Sequence, residues 1–62
     1  MSNPIISFGR NGEILIDNIK EPLKYDGAIF IPVNNRITIV DAEVIDEILK
    51  DERFDIDEKY LN

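Results

Sequence analysis

The chain has 62 residues, with thirteen acids against seven bases, a net charge of −6, no cysteine and no histidine. A chain this short is one domain at most; it buries only about 60% of the surface it exposes when unfolded, and its core rarely supplies more than about 3–5 kcal/mol. Disulfides and Cys/His zinc sites are excluded outright. Stability must come from an efficient core, or from folding against copies of itself or a partner.

The charge is uneven. Residues 1–40 carry four acids and four bases, whereas residues 41–62 carry nine acids and three bases, so the whole excess sits in the C-terminal third. Phosphate neutralisation by basic side chains supplies most non-specific affinity for nucleic acid, so direct DNA or RNA binding is not expected. An acidic end suits a basic protein surface, or confers solubility. The longest apolar runs, Ile5–Ile6 and Ala28–Val33, fall far short of the ~20 residues of a membrane helix. Met1-Ser2-Asn3-Pro4 has no basic stretch leading into an apolar one, so no secretory leader is expected and synthesis in a cytoplasm is the default.

In chain order, Ile5 to Phe8 reads as a short strand. Gly9-Arg10-Asn11-Gly12 is a turn, because Asn and Gly tolerate positive φ. Glu13 to Ile16 returns as the second strand of a hairpin, with Ile14 and Ile16 on one face. Asp17 to Asp26 is polar and interrupted by Pro22, which lacks an amide donor. It reads as a connector pinned to the core by Leu23 and Tyr25. Asp26-Gly27 is a second turn.

Ala28 to Val33 is the most apolar stretch and favours a strand, with Pro32 placing its end at an edge. Asn34-Asn35 suits a two-residue turn, after which Arg36 to Val40 is expected to return antiparallel. That register sets Phe30 against Ile39 and Ile29 against Val40. Both faces of the hairpin then carry apolar side chains, and the second face is a candidate contact surface.

Asp41 is a favourable helix N-cap, and Glu43 and Glu47 lie toward the positive end of the helix dipole. Val44, Ile45, Ile48 and Leu49 form an apolar stripe, with Asp46 and Lys50 on the exposed side. A helix is expected from about Ala42 to Asp51. It is too short to be stable alone and must dock on the sheet. Phe54 and Ile56 anchor a short extended exit. The expected fold is therefore α+β: a small antiparallel sheet of two hairpins with one C-terminal α-helix packed on it. Residues 1–56 form the domain, and residues 57–62 form an acidic polar tail, mobile unless a partner captures Tyr60 and Leu61.

No catalytic constellation can be assembled. The hydroxyl candidates Ser2, Ser7 and Thr38 lack a base and an orienting group at workable spacing. The three glycines fall in turns, not in a phosphate loop. Asp51, Glu52, Asp55, Asp57 and Glu58 make an oxygen-rich run. Counted as a calcium loop from Asp51, however, the third position is Arg53 and the sixth is Ile56, which breaks the pattern. Neither an enzyme nor a cofactor or metal protein is expected.

One segment carries a resemblance. Between Gly27 and Ile56, an extended apolar stretch enters a helix through Ile39-Val40-Asp41-Ala42-Glu43-Val44-Ile45, continues through Ile48-Leu49-Lys50-Asp51, and closes on Phe54. This resembles the ending of small proteins encoded among the structural genes of tailed bacteriophages. It covers about half of the chain, and residues 1–26 lie outside it. The resemblance implies a minor virion component made in the host cytoplasm: a capsid-decorating, minor capsid or head–tail assembly protein, present in many copies or as a homo-oligomer, with a capsid or connector protein as partner. Such proteins can extend a neighbour's sheet by edge pairing.

The side chains expected at that contact are Ile29, Ile31, Val33 and Arg36 on the sheet, and Tyr60 and Leu61 in the tail. The alternative is a small acidic inhibitor or nucleic-acid mimic that fills a basic groove with the C-terminal third. A third possibility is an isolated domain of unrelated cellular function.

Overall fold

The computed structural model describes residues 3–60. Among these residues the fold is α+β, with six short strands, one α-helix and a closing 3-10 turn. The strands are β1 (Ile5–Phe8), β2 (Ile14–Asp17), β3 (Leu23–Tyr25), β4 (Ala28–Phe30), β5 (Arg36–Ile39) and β6 (Asp55–Ile56), with α1 (Ala42–Leu49) between β5 and β6. Four strands form one sheet in the order β5-β2-β1-β6, and β3 and β4 form a separate two-stranded sheet.

The first hairpin forms as its sequence predicts. β1 and β2 pair antiparallel with Phe8 opposite Ile14 and Ile6 opposite Ile16. β5 adds to the other side of β2, with Ile39 opposite Ile14 and Ile37 opposite Ile16. A row of isoleucines thus crosses the sheet, from Ile56 through Ile6 and Ile16 to Ile37. Alternation turns this row and its neighbours Ile14 and Ile39 to one face, where the helix stripe meets them. The core comprises Ile6, Ile14, Ile16, Ile19, Leu23, Ile37, Ile39, Val44, Ile48 and Phe54, with Phe8, Tyr25, Phe30, Ile45 and Ile56 packed around it. No buried side-chain polar atom among the described residues lacks a hydrogen-bond partner.

The helix starts where expected. Asp41 is extended and its carboxylate accepts from the Glu43 amide at 3.0 Å, while Val44 and Ile48 are fully covered by the sheet. It ends at Leu49 and not at Asp51. Lys50 caps it, and the Lys50 and Asp51 amides tighten into bonds to the carbonyls of Glu47 and Ile48. Among the described residues Asp46 and Lys50 form no ion pair; the two ion pairs join Arg36 to Asp17 and Arg53 to Asp51.

The second hairpin corrects the sequence expectation. Ala28 to Val33 does not zip along Arg36 to Val40. Its first half, β4, pairs with β3, so that Phe30 faces Leu23 and not Ile39, and Ile29 faces Lys24 and not Val40. The connector therefore contains a strand. The turn that permits this is Asp26-Gly27, with φ of 50° and 80°. Positive φ at both central residues is the twist-matched geometry of a two-residue hairpin, and it costs glycine little. Only one bridge survives of the expected pair, Val33 with Arg36 across Asn34 (φ 54°) and Asn35 (φ 64°). Beyond it the strands diverge: Ala28 to Phe30 are committed to β3, and no further bridge joins Ile31 or Pro32 to β5.

The exit strand β6 runs parallel to β1, with the Asp55 amide on the Pro4 carbonyl and the Asp57 amide on the Ile6 carbonyl. The sheet is consequently mixed. Residues Glu58–Tyr60 then form a 3-10 turn, where a polar tail was expected. The Tyr60 hydroxyl donates to the Phe8 carbonyl at 3.0 Å, and its ring meets the Phe8 ring edge-on at 5.1 Å, so this segment is tied to a residue packed against the core. Among the described residues, no helix is long and apolar enough to cross a membrane.

Candidate docking surface

The divergence of Ile31–Val33 from β5 creates the main surface feature. Val33 and Arg36 exchange both backbone hydrogen bonds, at 2.9 and 3.1 Å. One step further the chains have separated, leaving an open groove of about 410 Å³ between them. Ile29, Ile31 and Val33 line one wall, and Arg36, Ile37 and Thr38 line the other. Ile29 is 63% exposed, Ile31 70%, Val33 71%, and Val40 at the end of β5 78%. Scattered exposed aliphatics are ordinary, but several large ones gathered around one groove mark a contact surface. Against ten buried core residues among those described, Ile29, Ile31 and Val33 form a second apolar set along the groove, with Val40 exposed just beyond β5 and outside the groove lining.

Four of the six side chains expected at a contact therefore meet here. Arg36 is oriented by Asp17, with its Nε 2.6 Å from one carboxylate oxygen and its Nη2 3.2 Å from the other. That hydrogen bond, followed by the charge of Asp17, favours the charged guanidinium further. The pair is a fixed, solvent-exposed fork at the end of the groove. Tyr60 is not part of this surface: it sits on Phe8 of β1, with β2 lying between β1 and β5. Leu61 lies outside the described residues.

Thr38 lines the groove although it was not expected at a contact, and Val40, expected on the second apolar face opposite Ile29, is exposed without that pairing. Both alternate with the buried Ile37 and Ile39, so they share the solvent side of the β5 segment. The period-two pattern of Ile37-Thr38-Ile39-Val40 carried that signal.

A polar cluster sits elsewhere. The Tyr25 hydroxyl donates to Asp51 at 2.8 Å, and Arg53 donates to the same carboxylate, most closely at 2.7 Å, and to the Tyr25 oxygen at 3.1 Å. Hydrogen bonds from the Arg53 side chain and amide, then from Tyr25, hold Asp51 far below the usual carboxylate range. Burial, then the bond to Asp51, pushes the Tyr25 phenol up. Each group is satisfied by the other two, so the cluster is a clasp between the β3–β4 hairpin and the end of the helix.

A broader concavity of about 840 Å³ lies beside the clasp. Ile19, Leu23 and Phe54 are among its walls, with Lys20, Glu21 and Arg53 also on its lining. Its large apolar residues, Ile19, Leu23 and Phe54, are core members already covered, and with Pro4 and Pro22 beside them it exposes no comparable set of large aliphatics. Among the described residues, no three acidic side chains converge to hold a metal ion. Compared with known proteins, the chain matches no family model, no curated protein and no solved structure.

Proposed function

We propose that this chain is a non-enzymatic protein-binding component of a tailed-phage particle, in the minor capsid, decoration or head–tail assembly class. In this role the Ile29/Ile31/Val33 wall docks on a capsid or connector protein. The observation that carries the binding role is the exposure of three large aliphatic side chains, Ile29, Ile31 and Val33, along one groove. Burying such side chains fully is worth about 1.5–3 kcal/mol each, so the set can supply useful affinity to a small protein. The phage context rests on the strand–helix–phenylalanine pattern from Gly27 to Ile56. The experiment is sedimentation of native source material with the chain followed by mass spectrometry. Travel with very large particles at a fixed copy ratio supports the proposal. Recovery in light fractions, or with one basic enzyme, overturns it.

The acidic inhibitor is the weaker alternative. Asp51, one of its presumed contact acids, is committed to Arg53 and Tyr25. Glu43, Asp46, Glu47 and Glu52 remain exposed, and a mimic built on them would lose affinity steeply with added salt.

A further inference from the structure

The open edge of the main sheet points to a specific second occupant. In an antiparallel ladder, alternate residues turn their amide and carbonyl toward the neighbour, and the residues between turn theirs away. The phase of this alternation is fixed at both ends of the sheet. The Ile6 carbonyl faces β6, where it accepts from Asp57, and the Arg36 amide and carbonyl face Val33. Ile37 and Ile39 therefore bond to β2, opposite Ile16 and Ile14. Thr38 and Val40 turn their backbone groups outward, along the edge that β5 leaves unpaired.

This free edge is short and bounded. Val33 occupies it at Arg36, and the helix cap begins at Asp41. Between them lies Ile37-Thr38-Ile39-Val40, without lysine, proline or any charge, the usual devices that guard an edge strand. A long partner strand would collide with Val33 at one end and the helix start at the other. A strand of the same short length fits.

We infer that two copies of this chain pair antiparallel through β5, on a two-fold axis at Ile39. In this register Thr38 of each chain faces Val40 of the other, and each facing pair exchanges two hydrogen bonds. The outward groups of Thr38 and Val40 in both chains are thereby used in full. Each extended strand ends before the position held by Val33, because Ala42, which the register sets opposite Arg36, is already the first residue of α1. A pairing centred on Thr38 would instead drive Val40 of one chain against Arg36 of the other, where Val33 already sits. The Ile39 axis also lays the exposed Val40 side chain over the other chain's Thr38, and joins the two sheets into one of eight strands. A two-fold contact is self-complementary by symmetry, the commonest arrangement of homodimers. The inference goes beyond docking on a particle and does not depend on it.

Sedimentation velocity of the full chain, from micromolar to millimolar concentration, tests the pairing. A monomer–dimer equilibrium is expected. Because each chain carries a net charge of −6, added salt should strengthen it by screening repulsion. Thr38→Pro removes an outward amide hydrogen and leaves the bonds to β2 in place, and should weaken dimerisation by about tenfold or more. Val40→Lys, which leaves the backbone untouched, should do the same if the proline variant fails to fold. In a mixed-label sample, an interchain nuclear Overhauser effect between the two Ile39 Hα atoms should appear. A chain that stays monomeric at every concentration overturns the inference, as does a dimer that forms equally well in the folded variants or lacks the Ile39 contact. Either result leaves docking on a particle intact, since that depends on Ile31 and its neighbours and is read by co-sedimentation.

Discussion

Tyr25 and Asp51 lie 26 positions apart, yet the Tyr25 hydroxyl donates to the Asp51 carboxylate at 2.8 Å. The bond ties the β3–β4 hairpin to the residue that follows the helix C-cap, and Arg53 closes the triangle. A two-stranded hairpin is marginal by itself. This clasp, together with Leu23 and Phe30 against the core, holds in place the wall that carries Ile29 and Ile31.

Tyr25→Phe should therefore lower stability by about 1 kcal/mol, the usual net worth of a hydrogen bond. Urea unfolding followed by circular dichroism measures it.

The clasp also gives stability a pH dependence with a definite sign. Asp51 is depressed in the folded state, so its contribution is present above the unfolded carboxylate value of about 3.8 and is lost as pH falls further toward the folded value. Tyr25 is raised, so its contribution is present below the unfolded value of 10.0 and is lost as pH rises through the folded value above it. Asp51→Asn should flatten the acid limb, and Tyr25→Phe the alkaline limb. Thermal unfolding across pH reads both.

The Asn34-Asn35 turn holds both residues at positive φ. Left-handed backbone costs a non-glycine residue about 1–2 kcal/mol, least for asparagine. Asn35→Gly should stabilise by about 0.5–1 kcal/mol, and Asn34→Val should destabilise by about 1 kcal/mol or more. Chemical denaturation of the two variants side by side checks the opposite signs.

Ile48 is completely buried beneath the sheet. Ile48→Ala should cost about 2–5 kcal/mol, comparable to the whole stability of a domain this small, and should leave much of the protein unfolded at room temperature. Asp41→Ala, which removes only the helix cap, should cost about 1 kcal/mol and leave it folded. Helical circular dichroism separates these outcomes.

The elements legible in sequence were those specified by neighbours. Gly9 to Gly12 between two isoleucine-rich runs encodes a hairpin, and Asp41 before a stripe of Val44 and Ile48 encodes a capped helix. What escaped depends on distant residues. Nothing local states that Asp55–Ile56 will run beside Ile5–Ile6, about fifty positions away. The unbroken apolar run Ala28–Val33 reads as one strand. In the structure its first half follows the Asp26-Gly27 turn to Leu23–Tyr25, and the second half keeps only the Val33–Arg36 bridge to β5. That divergence opens the groove, so Ile29, Ile31 and Val33 are exposed for a different reason than a two-faced hairpin would give. Asp51 looked like one acid in a solvated run because its partner Tyr25 lies on another element.

The groove wall is tested most directly by co-sedimentation of Ile31→Asp with native particles, at unchanged helical circular dichroism. Ile31 is 70% exposed, so a carboxylate there should leave the fold intact. Loss of particle binding is the predicted result. Binding that persists undiminished would contradict a docking surface built on Ile29, Ile31 and Val33.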